Sequence, residues 1–90
     1  FQTKLINLIN IAKKEFRPLY EIAVDIRLNW KKVSPAAKPY LDAMAKLNDI
    51  DDNYFYDNGR SIVMYFLSNA TGWRGEEARR IKAELKEMIK

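Results

Sequence analysis

Catalysis near neutral pH draws most often on histidine, cysteine or a pair of carboxylates. This 90-residue chain contains no histidine and no cysteine. That removes the usual proton shuttle, the thiolate nucleophile and the commonest zinc ligands. What remains for acid–base work is Asp51 with Asp52 and Glu76 with Glu77. Both pairs fall in polar segments expected to face solvent, where nothing shifts a carboxylate toward neutrality. Three scattered glycines form no phosphate-cradling loop. The expectation is a protein that is not an enzyme, with no catalytic residue, no cofactor and no metal.

The acidic stretch Asn48–Asp57 invites one metal test. A calcium loop of the EF-hand type needs oxygen donors at its first, third and fifth positions, glycine at the sixth and glutamate at the twelfth. Asp49, Asp51 and Asn53 satisfy the first three, but Tyr54 and Arg60 occupy the last two. Arg60 would put a cation where a bidentate carboxylate is required. The segment reads instead as a solvated loop begun by turn-forming Asp and Asn.

Binding chemistry has two candidate locations. Tyr54, Phe55 and Tyr56 follow one another directly behind the acids. Three successive aromatics are more than a loop alternates into a small core, so they either close the end of a bundle or meet a partner. They are the candidate partner contacts. Arg79, Lys82, Lys86 and Lys90 recur at steps of three, four and four and share one helix face. That stripe is a candidate phosphate contact; the competing reading is a solvated face. The net charge of +4 is unevenly spread: +5 over residues 1–47, −4 over 48–59 and +3 over 60–90. A basic excess this modest is more often a solvated surface than a nucleic-acid face.

These residues must be held by helices. Arg60–Ala70 contains the run Ile62–Leu67, interrupted only by the hydroxyl of Tyr65, and a segment apolar on all sides needs cover on all sides. The preferred reading is a central helix over about 58–70, capped by Asp57 or Asn58. Its rival is a β-hairpin turning at Asn58-Gly59 and pairing this run with Ile50–Asp57. No third strand is in sight to support one, and the Asp-rich half of that partner has low strand propensity.

Around this element the chain offers amphipathic segments. Leu5, Leu8, Ile9, Ala12 and Phe16 follow Thr3 at helical spacing. Pro18 is expected to break the helix near Arg17 and start a second one, with Leu19, Ile22, Ala23, Ile26, Trp30 and Val33 in its stripe. Ser34-Pro35 marks a turn, and a third helix runs from Pro39 to about Leu47, with Asp42 and Lys46 as an i,i+4 pair. The two terminal helices have helix-turn-helix spacing around Thr71-Gly72, although Glu76 and Glu77 stand where that motif would approach phosphates. The last helix reaches about Ile89 on Ala78, Ile81, Leu85 and Met88. Trp73 is expected to cap the core, and Gly75 to allow close helix packing.

The sum is an all-α fold: a small bundle of four to five helices around the central apolar helix, with residues 1–90 as one domain. No run approaches the roughly 20 apolar residues of a membrane span. No secretory leader pattern is visible, so a cytoplasmic protein without membrane contact is expected. The leading functional expectation is a non-catalytic protein-interaction or self-association module, with a protein partner or homo-oligomer. The alternative is a nucleic-acid-binding protein using the basic face of the C-terminal helix.

Overall fold

The computed structural model describes residues 16–90. The expected helix from Thr3 through Ala12 lies outside them. The described chain forms α1 (Leu19–Asn29), α2 (Lys38–Met44), a two-strand ribbon of β1 (Asn53–Tyr54) and β2 (Asp57–Asn58), then α3 (Gly59–Asn69) and α4 (Glu76–Met88). It is a small helical protein with minimal strand.

Pro18, expected as the first helical residue, is instead the N-cap of α1, with φ −58° and ψ 146°. It offers no side-chain cap. Instead, the Leu19 and Tyr20 amides donate to the carbonyls of Asn48 (2.8 Å) and Leu47 (2.9 Å). Helix starts leave orphan N–H groups, and here the chain leaving α2 satisfies two of them. The stripe expected for α1 buries Leu19, Ile22, Ala23 and Ile26. The helix stops at Asn29, so Trp30 and Val33 pack on the core from the following turn. Ser34 opens the next turn, its hydroxyl accepting from the Ala37 amide and donating to the Asn69 carbonyl. α2 then starts with Pro39 in its first positions, where a missing donor costs nothing. It is shorter than expected, and Asp42 pairs with Lys38 (3.1 Å) and Arg27 (2.6 Å) rather than with Lys46.

The segment 59–69 is a helix, not the second strand of a hairpin. Asn58 caps it, accepting from the Ser61 amide at 2.8 Å. The Gly59 and Arg60 amides are taken by the carbonyls of Asp52 and Ile50. Gly59 is required by crowding: a Cβ there would fall 2.8 Å from both Asp49 O and Ile50 Cα. The expectation of cover on every side is met on one side only. Ile62, Val63 and Phe66 are buried, whereas Met64 and Tyr65 remain 51% and 45% exposed.

α4 buries the four expected residues, Ala78, Ile81, Leu85 and Met88. Trp73 closes the core as expected, stacked on Trp30 at 5.3 Å with the planes 7° apart, while Trp30 meets Phe66 edge-on at 6.1 Å. Gly75 does not serve close packing, since a Cβ there would meet nothing within 4 Å; its φ of 114° is what glycine supplies. A chain of ions ties α1 to α4. Arg17 forks onto Glu84 (2.6 and 3.1 Å) and also reaches Asp25, and Arg80 forks onto the same Asp25 (3.1 and 3.2 Å). Two-pronged guanidinium–carboxylate pairs fix orientation as well as adding energy.

Candidate interaction surfaces

The acidic loop puts its carboxylates to local use. Asp52 Oδ2 accepts from the Asn48 and Asp49 amides, and Asp49 Oδ1 from the Asp51 amide. These bonds fold the loop back so that Ile50 and Asp52 can cap α3. Among the described residues, no cluster of three or more Asp or Glu side chains is arranged to hold a metal ion.

From that loop rises the two-residue ribbon, with Asn53 opposite Asn58 and Tyr54 opposite Asp57. Its turn is therefore Phe55-Tyr56. Tight hairpin turns need positive φ, a geometry glycine or asparagine supplies cheaply. Phe55 takes it instead, at φ 60°, and is the one described non-glycine residue to do so. A bulky side chain in this region is strained by about 1–2 kcal/mol. Both side chains of the turn lie in solvent: Phe55 is 82% exposed and Tyr56 103%.

The three candidate contacts thus divide. Tyr54 is half-buried, packs on the core and meets the Phe55 ring edge-on at 4.6 Å. Phe55 and Tyr56 carry the open surface. A groove of about 230 Å³ runs beside them, lined by Pro39, Tyr40, Ala43, Asp57 and Ile62 as well as the three aromatics. Tyr40 in turn meets Tyr65 of α3 at 5.4 Å. Residues 40 and 65 are too far apart in the chain for any spacing rule to pair them. A second apolar strip lies on α1, where Tyr20, Val24 and Leu28 are exposed at four-residue steps.

The basic stripe is also divided. The Lys82 ammonium donates to the carbonyls of Ala70 (2.7 Å) and Trp73 (2.6 Å) and lies 5.9 Å from the Trp73 ring centre. Burial, and then the neighbouring Lys86 and Arg74, hold its pKa below the ordinary lysine value. Lys90 pairs with Glu87 at 2.8 Å. Arg79 and Lys86 are exposed. Arg74, which no helical spacing singles out, joins Arg79 and Lys82 around a cleft of about 310 Å³ between the α3–α4 turn and the start of α4.

Among the described residues, no helix is long and apolar enough to cross a membrane. Comparison of the chain with models of protein families, with curated proteins and with solved structures finds no match.

Proposed function

We propose that the protein is a non-catalytic interaction module that binds protein, a second copy of itself in the first instance, through the Phe55-Tyr56 tip and the groove beside it. The observation that carries this reading is the pair of solvent-exposed aromatics on a strained turn. Exposed aromatic clusters cost solubility and are the side chains most often found at binding hot spots. Strain of this kind persists where the surroundings impose it, and it concentrates at functional positions. The non-catalytic part rests on the lack of histidine and cysteine and on the absence of any fully buried polar side chain among the described residues. The reading takes residues 1–90 as one cytoplasmic domain organised around α3.

An NMR dilution series tests it. On concentration, the amides of residues 54–57 and the Tyr40 and Tyr65 rings are expected to shift together. Shifts confined to other faces of the molecule would refute the assignment to this tip.

A further inference from the structure

We propose that the cleft between the α3–α4 turn and the first two turns of α4, lined by Arg74, Arg79 and Lys82, binds a phosphodiester, and that its source is the backbone of nucleic acid. This surface is separate from the aromatic tip, and neither proposal depends on the other.

Three cations line one cleft of about 310 Å³, together with Thr71, Gly75 and Ala78. No carboxylate pairs with any of the three among the described residues, although pairing is common elsewhere: Arg17, Arg27, Lys38, Arg80 and Lys90 each hold an acid. Of the two acids in the first turn of α4, Glu77 is engaged by Arg80, and Glu76 is exposed and does not line the cleft. Gathering like charges without a counter-ion is unfavourable. Burial is the main cause that pushes the Lys82 pKa down, and Lys86, beyond the cleft, and Arg74, within it, add to it. An anion in the cleft would offset this charge.

The donor set fits phosphate oxygens. Arg74 and Arg79 offer planar forks suited to phosphate. An ammonium carries three N–H donors; Lys82 commits two to the Ala70 and Trp73 carbonyls, which anchors its head at the cleft. Thr71 adds a hydroxyl, and α4 starts here behind Gly75, its N-cap, which supplies no side-chain cap. Lys86 stands one turn further along α4, exposed, and extends the positive track beyond a single phosphate. A track of this kind favours a polymer backbone over an isolated ion. Base reading is not part of the proposal, because Trp73 is buried and already stacked on Trp30.

The test is fluorescence anisotropy of a labelled DNA duplex with the full chain, beside NMR titrations with inorganic phosphate and with anionic phospholipid vesicles. Neutralising one phosphate in the cleft and a second at Lys86 gives a log–log salt slope of about −1.8, or about a 12-fold loss of affinity between 50 and 200 mM salt. R74E/R79E is expected to lower duplex affinity at least about tenfold and flatten the slope to about −1. Both arginines are exposed, so the fold is expected to persist, as circular dichroism will verify. K31E, outside the cleft, is the control and should leave binding unchanged. Unchanged duplex binding in R74E/R79E would overturn the proposal. So would phosphate or vesicles shifting the Arg74 and Arg79 signals while the duplex fails to bind, because the anion source would then not be nucleic acid.

Discussion

Phe55 shows how one residue can set stability against exposure. Its φ of 60° suits glycine, yet the chain places a phenylalanine there with its ring in water. Phe55→Gly should therefore raise stability by about 1 kcal/mol, measured by urea unfolding at low concentration where association does not contribute. Loss of stability would mean that the ring does more for the fold than its exposure indicates. Asp25 carries a different consequence. Arg80, and then Arg17, hold its carboxyl below the usual carboxylate pKa. A group whose pKa is lower folded than unfolded contributes stability above its unfolded value, near pH 4, and loses it as pH falls through the folded value. Asp25→Asn should cost about 1 kcal/mol at pH 7 and much less near pH 2, so that urea midpoints of the two proteins converge on acidification. An equal gap at both pH values would show that the ion pairs are not its source.

At the scale of elements, the loop before α3 works as the cap of that helix. Its carbonyls take the Gly59 and Arg60 amides, and the close approach leaves no room for a side chain at 59. Gly59→Ala should destabilise by about 1–3 kcal/mol in thermal or urea unfolding, as overpacking does. A neutral result would mean that the loop yields easily and that the cap is dispensable. This junction also shows what the linear sequence carries. The buried stripes of α1 and α4, the Asn58 cap and the helix start behind Pro18 follow from spacing and local chemistry, and all are present; a break in a preceding helix falls outside the described residues. Asn58-Gly59, a hairpin signal on its face, instead starts a helix, because tertiary crowding rather than turn geometry demands that glycine. The true turn, Phe55-Tyr56, has no turn residue to announce it. The outer face of α3 departs from the expected cover because hydrophobicity says that Met64 and Tyr65 could be covered, not that anything covers them. Arg74 is not legible in the spacing because it lies in the turn before α4, outside any helical periodicity.

For the whole molecule, the described fold separates its surfaces by charge and polarity. An acidic loop and aromatic tip precede α3, the basic cleft follows it, and the Tyr20, Val24 and Leu28 strip lies on α1. One ion network joins α1 to α4, and one tryptophan stack joins the turn after α1 to the turn before α4, so the surfaces are carried on a connected frame. Association through the aromatic tip is the proposal on which the function rests. Its most direct test is the mass of the intact protein by light scattering from about 1 μM to about 1 mM, a range that brackets weak and moderate association. The mass is expected to rise with concentration, and a Phe55→Ser/Tyr56→Ser variant to stay at 10.6 kDa throughout. A wild-type protein that remains at the monomer mass over the whole range, or a variant that associates as strongly as wild type, would contradict it.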